Sequence, residues 1–246
     1  GSVQAGPDSI PPPELLKAVG SRAQRLVDEQ YRVLNDTLIP ALAEVPVRFI
    51  RRDDWTDTQS TWLRRYFREE LLPVLSPMGL DPAHPFPKIL NKSLNFAVSL
   101  HGKDAFGRNS GTAIVQAPRA LTRLIHFPPD QDNNGPYDFV FLSSVIHAFV
   151  DMLFPGMTAQ AFNQFRVTRN GDLFVDEEEV DDLLRALEGE LPSRNYSEAV
   201  RLEVADNCSD EMAAFLLKTF KLEPDDLYQV NGTVNLKRLQ DSYDLG

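Results

Sequence analysis

A single cysteine, Cys208, leaves this chain unable to close an internal disulfide or to build a cysteine-based zinc site, and it suits a reducing compartment. Long apolar runs are also missing. No stretch approaches the roughly 20 residues needed to span a bilayer, and no signal peptide is expected ahead of the first helix. Cations are in deficit, with 25 Lys and Arg against 36 Asp and Glu. The resulting formal net charge of -11 excludes a general nucleic-acid footprint, which needs surplus cations to displace counterions. Local basic clusters can still grip a polyanion. Histidine is scarce: His84, His101, His126 and His147 contain no pair at metal-binding spacing. Neither a G-x-x-x-x-G-K-[ST] phosphate loop nor a nucleophile elbow around Ser143 and Ser144 occurs.

What is present is the composition of a globular protein, 42% hydrophobic and 25% charged, in 246 residues. That length permits one large domain or two small ones with a core that needs no staples. Gly1-Ser2 reads as a cloning scar ahead of a loose, proline-rich start, so the expectation is an excised piece of a longer protein.

Apolar residues from Leu16 through Val19, Ala23, Leu26, Val27, Tyr31 and Leu34 to Leu38 recur near period 3.6 and predict a long helix from Pro12 to about Ala43. A short strand over Val47 to Ile50 and a helix from Thr56 or Asp57 to before Pro73 come next, the latter carrying Trp62, Leu63, Tyr66, Phe67 and Leu71. Pro77 to Pro87 is too proline-dense for anything but loop. Strands are predicted over Leu94 to Leu100, Thr112 to Gln116, Leu121 to Phe127 and Phe139 to Leu142, then a helix from Ser143 to Leu153. Phe165 to Arg169 alternates as a strand into the Asn170-Gly171 turn, after which Asp176 caps a helix fronted by Glu177, Glu178 and Glu179. A strand at Val200 to Val204, a helix from Asp210 to Phe220, a strand at Tyr228 to Val230 and a short helix around Leu236 to Leu239 finish the chain. Strands in a run, then mixed with helices, predict an α+β fold with a mainly antiparallel sheet and packed helices, preceded by a helical segment.

Few residues offer chemistry. Asp130 to Gly135 begins like a calcium loop, but the closing glutamate position is Phe141, so a polar surface loop is expected. The acids from Asp176 to Asp182 are explained as a solvated helix start, and no metal site is expected there. Arg166, Arg169 and Arg201 fall on predicted strands, and Arg64, Arg65 and Arg68 crowd one helix. Planar guanidinium forks there suit phosphate, or else pair with the abundant carboxylates.

Several motifs in one order carry a resemblance. Phe67-Arg68-Glu69-Glu70, Pro73-Val74-Leu75-Ser76-Pro77, Asp81-Pro82-Ala83-His84-Pro85-Phe86-Pro87 and Asn91-Lys92-Ser93-Leu94-Asn95 are followed by Leu153-Phe154-Pro155-Gly156, Phe165-Arg166-Val167-Thr168-Arg169, Asp176-Glu177-Glu178 and Ala199-Val200-Arg201-Leu202-Glu203-Val204. Together these resemble the long-form (type 1) polyphosphate kinases. Asn170-Gly171-Asp172 and Gly232-Thr233-Val234-Asn235-Leu236 depart from the family pattern at turns.

The resemblance implies an enzyme that reversibly moves the terminal phosphate of ATP onto inorganic polyphosphate through a phosphohistidine, using magnesium. It implies that residues 1–52 end a helical N-terminal domain and that 53–246 form the head. The catalytic histidine and arginines of the family belong to a part absent here, so no catalytic residue and no cofactor is expected in this piece, and ATP and magnesium belong to the parent. Arg166, Arg169 and Arg201 remain the candidates for phosphate contact. Implied partners are a second copy through the head, the remaining domains of the same chain, and polyphosphate; nucleic acid is not among them. The implied location is the cytoplasm, with membrane association of the parent complex as a further expectation. The alternative is a free-standing α+β interaction domain with no kinase role.

Overall fold

The computed structural model describes residues 12–42, 44–80, 85–103, 111–129, 135–170 and 198–239. His84, the Asp130-to-Asn134 run, Gly171 and the acid-fronted helix from Asp176 lie outside the described residues, as do both chain ends.

Helix α1 (Pro12–Val33) continues through a π-helical turn, Leu34–Leu38, into a last α-helical turn, Ile39–Leu42. Strand β1 (Val47–Phe49) leads to helix α2 (Asp57–Tyr66). Thr56 starts α2 with a reciprocal cap: its Oγ1 accepts from the Gln59 amide at 3.1 Å, and Gln59 Oε1 accepts from the Thr56 amide at 3.0 Å. A second π-helical turn, Phe67–Leu71, extends this helix and swings Phe67 and Leu71 fully into the core.

Six strands form the main sheet: β2 (Ser76–Gly79), β3 (Leu94–Gly102), β4 (Thr112–Ala117), β7 (Met157–Arg169), β8 (Ala199–Ala205) and β9 (Leu227–Val230), in the order β2-β4-β3-β7-β8-β9. A smaller sheet pairs β1 with β6 (Tyr137–Phe141) and β6 with β5 (Leu124–His126). All pairings are antiparallel except β1 with β6 and β8 with β9. Among the described residues, helices α3 (Leu142–Phe149) and α4 (Asp210–Phe220) pack on these sheets. The α+β class with a mainly antiparallel sheet and a leading helix is therefore what the chain adopts.

Strand alternation divides the apolar residues between two faces of the main sheet. On one face, Leu94, Phe96, Val98, Ala113 and Val115 meet α2, α3 and the Phe67–Leu71 turn. On the other, Ala97, Ile114, Phe165, Val167, Leu202 and Val204 meet Met212, Ala213 and Leu216 of α4. Phe96 and Phe162 stack across β3 and β7 with centroids 4.6 Å apart. In the small sheet, Arg48 and Asp138 face each other in register, and the buried Asp138 carboxylate accepts from the Arg48 guanidinium and the Gly135 amide.

Three boundaries differ from the sequence reading. Ser76–Gly79 is an edge strand on β4, where the proline-rich stretch reads as loop; an edge tolerates Pro77 because its outer side needs no ladder donor. Strand β7 starts at Met157, eight residues before Phe165, since Thr158 to Ala161 supply little apolar contrast. The predicted strand from Leu121 shortens to Leu124–His126. Truncating the central ring, Phe96→Ala, should cost about 4 kcal/mol, read as a lowered urea midpoint with an unchanged m-value.

Candidate functional site

Arg166 on β7 lies directly across from Glu203 on β8, and Arg201 precedes Glu203 by two residues on the same strand. Period-2 geometry therefore puts all three side chains on one face of the sheet. Glu203 is buried to 3% exposure, and its Oε2 accepts from Arg166 Nη2 at 3.0 Å and from Arg201 Nη2 at 2.5 Å. Its other oxygen, Oε1, accepts the Asn235 amide at 2.8 Å. Arg166 Nη1 reaches Asn235 Oδ1 at 2.7 Å, and the Arg201 guanidinium lies 4.0 Å over the ring of Tyr228.

This cluster holds the loop that follows β9. Asn235 adopts a left-handed φ of +64°, which asparagine tolerates better than most residues, and its Nδ2 donates to Lys92 O at 3.3 Å. Gly232, at φ +145°, turns the loop beneath the Tyr31 ring. Tyr31 of α1 is buried and donates its hydroxyl to Thr233 O at 2.6 Å, so the first helix and the last loop meet at this point. Burial, seconded by the Glu203 charge, raises the Tyr31 phenol and keeps it neutral. Burial lowers the Arg166 guanidinium, against the pull of Glu203. Two guanidiniums share one carboxylate, and among the described residues the Nε atoms of Arg166 and Arg201 have no hydrogen-bond partner.

Arg169 does not join them. It lies on the opposite side of the sheet, beyond a register shift after Thr168, with its Nε donating to Ile89 O at 3.0 Å and its guanidinium 6.0 Å from the Phe220 ring. The three arginines singled out from sequence thus form one pair and one separate residue. Glu203, Asn235, Tyr31 and Tyr228 escaped the sequence reading. A lone acid between Leu202 and Val204 in a buried strand is the signal that points to Glu203, because such a carboxylate requires a cation beside it.

His126 and His147 sit apart from this cluster. His147 of α3 stacks on Phe162 at 4.5 Å, and burial, then Arg52, lower its imidazole. His126 Nε2 donates to Pro136 O at 2.9 Å. Cys208 is buried, and burial pushes its thiol up to about 11, with Asp210 adding to the shift. Among the described residues no group of three or more His, Cys, Asp or Glu is placed to hold a metal ion, and no helix is long and apolar enough to cross a membrane.

Comparison with known proteins places this geometry. The model of the polyphosphate kinase middle domain matches residues 58–241. The chain belongs to the polyphosphate kinase family. It is 54% identical over 236 residues to a polyphosphate kinase of Pseudomonas aeruginosa, covering 96% of this chain and 34% of that protein. It is 53% identical over 234 residues to one from Neisseria meningitidis serogroup B, with 95% and 34% covered. The crystal structure of polyphosphate kinase from Porphyromonas gingivalis shares the fold at a TM-score of 0.72 and 24% identity, covering 92% of this chain and 32% of that one. The chain therefore spans about a third of the length of the polyphosphate kinases it matches. The Arg166–Glu203–Arg201 cluster and the loop it holds lie inside the part that matches the middle domain.

Two outcomes follow from the geometry. Glu203→Ala strands two guanidiniums and should cost about 3 kcal/mol, measured by urea unfolding. His147 has a folded pKa below its unfolded value of about 6.5, so its contribution is present above that pH and is lost as pH falls through the folded pKa. Stability should decline between pH 7 and 5, and His147→Phe should flatten that part of the profile in thermal melts at stepped pH.

Proposed function

We propose that the full-length proteins to which this chain corresponds transfer the terminal phosphate of ATP reversibly to inorganic polyphosphate through a phosphohistidine, with ATP and magnesium bound outside this piece. In this reading residues 1–52 end a helical N-terminal domain, residues 53–246 form the head, and the piece serves assembly, including self-association, without catalysing transfer. The observation that carries the reading is the match of residues 58–241 to the polyphosphate kinase middle domain. The inward setting of His147 and the backbone bond of His126 support the assignment of the phosphate carrier to another part of the protein. Identity of 54% along nearly the whole chain weighs against a free-standing interaction domain with no kinase role.

A second role is favoured by one observation, the surplus of guanidinium over carboxylate at Glu203. Arg166 and Arg201, whose side chains keep 12% and 25% of their exposure, then contact polyphosphate from one face of the sheet, while Arg169 does so separately from the other. Calorimetric titration with polyphosphate at low salt should give heat that falls as salt rises and diminishes in Arg201→Ala; an absence of heat at low salt removes this role. Incubated with ATP and magnesium, the chain alone should make no polyphosphate, and synthesis would overturn the non-catalytic assignment.

A further inference from the structure

The seat of α1 and the arginine pair at Glu203 share one loop. Gln24 and Tyr31 of α1, with Asn35 of the π-helical turn that continues it, lie seven and four residues apart and so share a face. All three donate from their side chains to main-chain carbonyls in and beside β9. Gln24 reaches Asp225 O and Leu227 O, Tyr31 reaches Thr233 O, and Asn35 reaches Asn231 O at 2.8 Å. None of these bonds carries a charge. Neutral bonds therefore seat the helix, together with the burial of Tyr31 and the packing of Val27.

The loop that receives Tyr31 is held from its other side by charged groups. Asn235 donates its amide to Glu203 at 2.8 Å and accepts from Arg166 Nη1 at 2.7 Å. Gln164 adds longer contacts to Gly232, Thr233 and Val234, at 3.3 to 3.5 Å. Tyr31 lies within electrostatic reach of Glu203, Arg166 and Arg201, so the first helix stands over the cluster. Both terminal nitrogens of Arg166 are committed, Nη1 to Asn235 and Nη2 to Glu203. A bidentate phosphate contact uses two nitrogens of the fork, and each such pair includes Nη1 or Nη2. Such a contact displaces Asn235 or Glu203, and either loss frees the loop.

We propose that the anion site and the seat of α1 exclude one another: polyphosphate that engages Arg166 and Arg201 loosens the Asn235 loop and unseats α1 from the head. The inference rests on the polyphosphate contact proposed above and gives that site a regulatory output. With residues 1–52 read as the end of a separate domain, the junction of the two domains responds to polyphosphate on the head. Linkage sets the sign, since two mutually exclusive states weaken each other by the same factor. A change that loosens α1 tightens polyphosphate binding, because apparent affinity scales with the fraction of chains already open.

Calorimetric titration of the full 246-residue chain with inorganic polyphosphate at low salt, beside hydrogen exchange over residues 24–35, tests this. Exchange there should rise with the same midpoint as the heat, and Arg201→Ala should diminish both. Tyr31→Phe and Asn35→Ala should each bind polyphosphate about fivefold tighter, the effect of one net hydrogen bond removed from the closed state. Asn35 is half-exposed and bonds to Asn231, outside the arginine cluster, so its variant reads the seat alone. Circular dichroism checks that each variant keeps its fold. Heat without a rise in exchange, or unchanged affinity in both variants, overturns the exclusion and leaves the polyphosphate contact standing. An equal rise with sodium chloride at matched ionic strength overturns it as well, since the seat is neutral. No heat at low salt, in the parent chain and in both variants, overturns contact and exclusion together.

Discussion

One buried carboxylate organises the meeting of distant parts of this chain. Glu203 sits in the middle of a strand whose neighbours Leu202 and Val204 are fully buried, where an isolated carboxylate would be untenable. It is tolerated because Arg166 and Arg201 supply charge and Asn235 supplies a backbone donor. The same bonds fix the loop after β9, and that loop presents Thr233 to Tyr31 of α1. Remove the charge balance and the loop, the edge of the sheet and the first helix lose their common anchor together. Such buried ionic clusters add little net stability over an apolar replacement, so their effect here is to specify one arrangement of the parts.

The chemistry of the cluster is correspondingly restrained. Both guanidiniums are committed to the same carboxylate oxygen, Arg201 also covers Tyr228, and the neutral Tyr31 phenol closes the side toward α1. His147 and Cys208 are held in their uncharged forms by burial.

Much of the fold was legible in the sequence, and the gaps have physical causes. The alternation of Leu94, Phe96, Val98 and Leu100 marks β3 because one face packs on α2 and α3 while the other carries smaller residues. The stripe from Leu16 to Leu38 marks the first helix, but not the π-helical turn over Leu34–Leu38, since one such turn shifts the stripe by a single residue, within the scatter of a period near 3.6. The parallel pairing of β1 with β6 joins segments far apart in sequence, and that of β8 with β9 crosses over by way of α4, and local patterns encode neither. At the candidate site, the arginines read either as phosphate ligands or as partners of the abundant carboxylates, and Arg166 and Arg201 do pair with one. The acid between Leu202 and Val204 marks their partner, but a glutamate alternating with apolar residues in a strand also reads as solvent-facing until its neighbours on the adjacent strand are known.

The bond from Tyr31 to Thr233 spans 202 residues of chain. Contacts that close so large a loop bear a heavy entropic cost before they return any stabilisation, so they form late in folding. The sheet and its two helical layers can assemble from nearer pairings, and α1 can dock only after β9 and the loop behind it are in place. Within this chain α1 is synthesised before the loop it docks against, and Tyr31 waits for its partner until the residues around Thr233 have been made.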